Sequence, residues 1–147
     1  MKHIKYFEQI YWGTEAAGIV PFCKTTKRFL VGLRSYSVLE PGTYGGFGGK
    51  FDDDYDTAEN VAKRELEEET EYNGEIDLIV GYIFTAKNFK YHNFIGVVPH
   101  EFEPILNWEN DNYKWLTLEQ LIKLPKKHPG LKAFIEHSMN IFKKLVV

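Results

Sequence analysis

Glu65, Glu68 and Glu69 stand three and four residues apart in TAENVAKRELEEETE, residues 57–71, a stretch rich in strong helix formers. At about 100° of rotation per residue they share one helical face and extend the stripe begun by Ala58, Val61 and Ala62, which should point to the core. Glu59, Lys63 and Glu67 fall on another face, alternate in sign, and can pair or face water. Clustered anions beside a packed face repel one another and lose hydration, so they either take up protons or hold a cation. Oxygen donors alone suit Mg2+ or Mn2+, with phosphate oxygens completing the set, which points to a phosphate ester or anhydride as substrate. Taken by itself, the helix also fits a solvated acidic surface without chemistry.

Residues 40–50, EPGTYGGFGGK, carry five of the twelve glycines and predict a tightly turned loop whose backbone can approach a ligand. Lying just before the acidic helix, this loop would bring a peptide carbonyl or amide to a metal and phosphate site. Residues 15–22 and 28–34 read as two strands joined by a polar turn, and Asp56-Thr57-Ala58-Glu59 as a capping box. Asn73-Gly74 is the helix stop, and residues 76–85 and 91–98 alternate as two more strands. A short strand is expected at 114–116, a brief helix from Thr117, and a final amphipathic helix over 129–145 with Leu131, Phe134, Ile135, Met139 and Phe142 on one side. Strands outnumber crossovers, so the sheet should be mixed.

A chain of 147 residues with 44% hydrophobic side chains suffices for one domain without disulfides or linkers. A formal charge of -3 gives no basic field for long polyanions or anionic lipid. The first residues lack the pattern of a secretory signal, no run approaches the roughly 20 apolar residues of a membrane span, and the single Cys23 reads as a buried thiol. The expectation is a soluble, cytoplasmic protein. His3, His92, His100, His128 and His137 show no metal spacing. Asp52 to Asp56 fail as a calcium loop, because Thr57 and Lys63 occupy the positions that need Gly and Glu. No Gly-x-Ser-x-Gly turn supports serine hydrolase chemistry.

Together, the glycine loop and the carboxylate helix resemble the Nudix hydrolase family. Its signature runs Gly, five residues, Glu, seven residues, Arg-Glu, an aliphatic residue, any residue, Glu-Glu, any residue, Gly, an aliphatic residue. Gly49 opens the match, Arg64-Glu65-Leu66-Glu67-Glu68-Glu69 reproduces its centre, and Tyr72 takes the closing apolar position. Three departures stand out: Asp56 replaces the first Glu, one residue is inserted between Gly49 and Asp56, and Glu71 replaces the late Gly.

The resemblance implies a single α/β domain over residues 1–147, a mixed sheet between helices, with the signature at about 49–72. It implies Glu65 and Glu69 as main ligands of Mg2+ or Mn2+, Glu68 as a direct or water-mediated ligand, and the Gly48 carbonyl as a backbone ligand. Arg64 would orient a glutamate of the cluster, and an acid from a later loop, Glu109 or its competitors Glu101 and Glu103, would complete the site. The implied reaction is metal-assisted hydrolysis of a diphosphate linkage in a nucleoside diphosphate derivative, releasing a nucleoside monophosphate. Nucleotide sugars, ADP-ribose, dinucleotides, dinucleoside polyphosphates and modified nucleoside triphosphates all qualify, and the general base stays unassigned.

For substrate contacts the sequence offers Tyr44, Phe47, Gly49 and Lys50 around the glycines, and Phe84, Phe89 and Tyr91 at the strand hairpin, with core packing as the competing role of the aromatics. Lys87, Lys90 and His92 would meet phosphate or water. Two other functions stay open: a Nudix-fold module that binds a nucleotide without cleaving it, and removal of 5′-pyrophosphate from RNA through a patch at Lys123, Lys126 and Lys127. The aromatic stretch Tyr6, Phe7, Ile10, Tyr11 and Trp12 would suit a homodimer interface.

Overall fold

The apolar runs at 15–22 and 28–34 and the alternating run at 91–98 are realised as a sheet whose central strands are buried on both faces. In the computed structural model, residues 15–53 and 56–147 are described; the aromatic stretch at 6–12 and part of the expected insertion at 52–55 lie outside them. The strands are β1 (Glu15–Cys23), β2 (Arg28–Arg34), β3 (Tyr44–Gly45), β4 (Phe47–Lys50), β5 (Asp77–Ala86), β6 (Phe89–Val98) and β7 (Asn110–Leu116). The helices are α1 (Ala58–Thr70), α2 (Leu118–Lys123), α3 (Pro129–His137) and α4 (Met139–Leu145).

The sheet runs β3-β2-β1-β6-β5, with β4 added to β1 and β7 to β2. β1 and β6 are parallel along their whole length, Glu15 opposite Lys90 through Cys23 opposite Val98, and the other pairings are antiparallel, so the sheet is mixed as expected. Ile19, Leu30 and Phe94 pack with Val61, Ala62 and Leu66 of α1 on one face. Their neighbours Val20, Val31 and Ile95 pack with Leu121, Phe134 and Phe142 of the later helices on the other. Period-two alternation thus feeds two cores and gives an α/β/α arrangement.

Three local expectations are corrected. Residues 44–50 are not simply loop: Gly48 and Gly49 sit in β4, opposite Gly18 and Ala17 of β1. Among the described glycines only Gly42 has a positive φ, 74°, so most of this glycine cluster serves close approach rather than turning. A Cβ on Gly48 would fall 2.4 Å from the Tyr91 hydroxyl and 2.6 Å from the Ala17 carbonyl oxygen. Helix α1 is capped by Thr57, whose hydroxyl accepts from the Asn60 amide at 3.1 Å, and it ends at Glu71, left-handed at φ 62°, before Asn73-Gly74 is reached.

The C-terminal helix is broken at Ser138. The ladder between β5 and β6 shifts register between Val80 and Ile83, which frees the Tyr82 backbone from regular pairing. The Ser138 hydroxyl accepts the Tyr82 amide at 3.0 Å, and the Asn93 side chain donates to the Tyr82 carbonyl at 2.9 Å. Buried Ser138 thus satisfies a strand defect, and α3 and α4 form on either side of it.

Candidate active site

Helix α1 presses the side chains that follow its apolar stripe against β4. Glu69 is only 3% exposed; the Gly48 amide donates to its Oε2 at 3.0 Å and the Asn110 side-chain amide to its Oε1 at 3.4 Å. Burial raises its carboxyl well above the ordinary 4.5, the charges of Glu109 and Glu65 push it further, and the Gly48 amide and Arg34 oppose the rise. Glu65 is half-buried against Gly49 and is pushed up to about 8, first by burial, then by a hydrogen bond with Glu68 and the charges of Glu68 and Glu109. Glu109 is also raised, chiefly by burial and less by Glu68, while Asn107, Arg34 and a hydrogen bond with Glu69 act the other way.

The three carboxyls therefore form one electrostatically linked group, and Glu68, exposed at its edge, adds charge to it. Among the described residues no set of three or more His, Cys, Asp or Glu side chains is already arranged as a closed metal site. The donor chemistry nevertheless fits a hard divalent ion: the group is all oxygen, its members repel, and each is held away from the ionised form that a cation would favour.

These carboxyls open into a cavity of about 610 Å3, of ordinary size for a small-molecule site. Gly48, Gly49, Lys50, Phe84 and Tyr91 line it with Glu65, Glu69 and Glu109. Tyr44 and Phe47 do not. Phe47 is fully buried beneath α1, and Tyr44 packs on the opposite core with the Lys114 ammonium 5.2 Å from its ring centre. Phe89 is likewise core.

Arg64 differs from expectation as well: its guanidinium pairs with Asp56 at 3.2 Å and Asp52 at 3.4 Å, so it braces the segment entering α1 and reaches Glu65 only through its charge. Of the three candidate late acids, Glu109 stands with the cluster. Glu101 is held by Arg28 through two hydrogen bonds of 2.7 Å and by Thr26, and Glu103 is exposed away from the cavity.

Several residues in or beside the cavity escaped the sequence reading. Arg34, at the end of β2, donates from Nε to the Leu39 carbonyl at 2.7 Å and brings positive charge to Glu69 and Glu109. His128 is driven down to about 3 by burial and by Arg34, and its Nδ1 accepts the Gly130 amide at 2.9 Å, so it is a neutral ring at the start of α3. Asn110, beside Glu109, holds Glu69. None carries a sequence signal, because each is defined by a neighbour distant in the chain.

Comparison with known proteins agrees with this construction. The chain matches the NUDIX domain family over residues 13–138. A Nudix hydrolase from M. smegmatis superposes with a TM-score of 0.72 at 18% identity, covering 88% of this chain and 86% of that one. A C. elegans Ap4A hydrolase, solved as a binary complex, gives 0.66 at 22% identity over 88% and 98% of the two chains. The E. coli dihydroneopterin triphosphate pyrophosphohydrolase gives 0.66 at 20% identity over 88% and 98%. The search of curated proteins found no match. With a carboxylate helix seated on a glycine strand, and a match that spans most of the sequence, the chain belongs to the NUDIX domain family.

Proposed function

We propose that the protein hydrolyses the diphosphate linkage of a nucleoside diphosphate derivative, with Mg2+ or Mn2+, and releases a nucleoside monophosphate. The observation that carries this reading is the seating of Glu65 and Glu69 on the glycines of β4, with Glu109 beside Glu69, at one wall of a cavity large enough for a nucleotide. The Ap4A and dihydroneopterin triphosphate enzymes, which share the fold, support a nucleotide-like substrate class.

In this reading Glu65 and Glu69 would hold the ion, with Glu68 directly or through water and with the Gly48 carbonyl. A divalent ion bound there supplies Lewis-acid charge to the diphosphate and lowers the pKa of water. Glu69 is fixed by Gly48 and Asn110, so its oxygens are oriented before substrate arrives. Arg34 and Lys50, both on the cavity wall, offset the charge of the polyphosphate. Glu109, which stands with the cluster but outside the set assigned to the ion, takes the proton of the attacking water.

The test is nucleoside monophosphate release from a nucleotide panel with Mg2+ or Mn2+, comparing the native protein with Glu69→Gln. Turnover that the variant loses supports the reading. Absence of turnover on every nucleotide, with metal affinity unchanged in Glu69→Gln, would make the chain a nucleotide-binding module instead. Action on RNA ends has less support: Lys123 pairs with Glu119 at 2.8 Å, and Lys127 is engaged by the Ile122 and Leu124 carbonyls, so the expected basic patch is largely occupied by its own helix.

A further inference from the structure

Tyr36 and Trp108 are large aromatic residues left 89% and 66% exposed, and both line the cavity that holds Glu65, Glu69 and Glu109. They come from separate stretches, Tyr36 just after β2 and Trp108 just before β7. Buried Ser35 ties the two together: its amide donates to the Glu109 carbonyl at 2.9 Å and its hydroxyl to the Trp108 carbonyl at 2.8 Å. The backbone under both rings is therefore fixed relative to the catalytic wall. Val38 and Leu39, two and three residues after Tyr36, continue the apolar lining of the same side.

Exposed Tyr and Trp rings leave apolar area in water that a flat ligand can cover, and aromatic faces stack well on planar heterocycles. Position restricts the ligand further. Trp108 adjoins Glu109 in sequence, with Cα atoms about 3.8 Å apart. A ring lying on Trp108 thus lies over the same cavity that Glu65, Glu69 and Glu109 line, beside the residue that supplies one of those carboxyls. A protein partner would have no reason to place its contact on the wall of a carboxylate cavity.

We propose that Tyr36 and Trp108 form the subsite for the planar base of the substrate nucleotide and select for substrates that carry one. This deepens, and rests on, the diphosphate-hydrolase reading. It moves base recognition from the glycine strand, where Tyr44 and Phe47 are packed elsewhere, to two loops stitched by Ser35. Because stacking uses the π face common to all bases, the subsite takes purines and pyrimidines alike and discriminates against diphosphates lacking a base.

The test has two readouts. The first compares kcat/KM for a nucleoside diphosphate sugar with that for phosphoribosyl diphosphate, which has a pentose and a diphosphate and no base. In Tyr36→Ala and Trp108→Ala this ratio should fall about tenfold, mainly through KM, and Trp108→Phe should restore it to within about threefold. The second is direct binding: AMP and UMP should quench the tryptophan emission of the native protein saturably, and Trp108→Phe should remove that quenching. An unchanged ratio in both alanine variants, or quenching that survives in Trp108→Phe, overturns the subsite while leaving hydrolysis intact. Native protein that hydrolyses no nucleotide but shows Trp108-dependent quenching would instead overturn the hydrolase reading and uphold the subsite.

Discussion

The Cβ that Gly49 lacks would fall 1.6 Å from Oε1 of Glu65 and 2.5 Å from its Cδ. The helix carboxylate occupies the volume of the missing side chain, so strand and helix are fitted to each other at this point. Gly49→Ala should push Glu65 aside and lower kcat/KM roughly 10–100-fold with a small change in Tm, since the far end of a side chain can yield. Gly48→Ala meets the Ala17 carbonyl oxygen at 2.6 Å and the Gly18 Cα at 2.7 Å, which cannot move cheaply. It should cost about 1–3 kcal/mol in urea unfolding. Equal effects of the two substitutions would show that the strand, not Glu65, sets both.

Glu109 and Glu101 make a matched pair for the late acid. Glu109→Gln should reduce kcat about 10²-fold or more while leaving the fold intact. Glu101→Gln breaks the contact with Arg28 and should lower stability by no more than about 1 kcal/mol, with kcat within twofold of native. Steady-state kinetics and thermal melts on both variants decide the assignment.

The raised carboxyls make stability fall with pH in the metal-free protein. Glu65 has an ordinary value of 4.5 and is pushed up to about 8 in the fold, so between those limits the folded chain keeps a proton that the unfolded chain has released. The stabilising contribution is therefore complete below pH 4.5 and lost progressively toward pH 8, and Glu65→Gln should flatten this part of a Tm–pH profile. Mn2+ requires the deprotonated form, so its effect on Tm should be larger at pH 8 than at pH 5. A profile that is flat in the native protein would refute the burial of this carboxyl.

Glu71 ends α1 in the left-handed conformation at φ 62°, where a Cβ is strained, and it stands where the family signature has glycine. Glu71→Gly should raise stability by about 0.5–1 kcal/mol in chemical denaturation, with activity preserved. A loss of stability would mean that the Glu71 side chain contributes more than its backbone costs.

The chemistry of the site was legible in the sequence wherever it depended on local periodicity. The spacing of Glu65, Glu68 and Glu69 against Val61 and Ala62 is a property of one helix, and the apolar runs at 15–22 and 28–34 and the alternation at 91–98 are properties of single strands. Helix rotation and strand pleat are set by the backbone, so they can be read without knowing the neighbours. The tertiary structure decided what depends on which distant segments meet. It made Gly48 and Gly49 a strand against Gly18 and Ala17 rather than a loop, and sent Phe47 to the core. It gave Arg64 to Asp56 and Glu101 to Arg28, broke the last helix at Ser138 to satisfy Tyr82, and brought Ser35 to Glu109 across the fold. Such pairings depend on packing and on the need to satisfy each buried polar group, and these conditions exist only once the whole chain has closed.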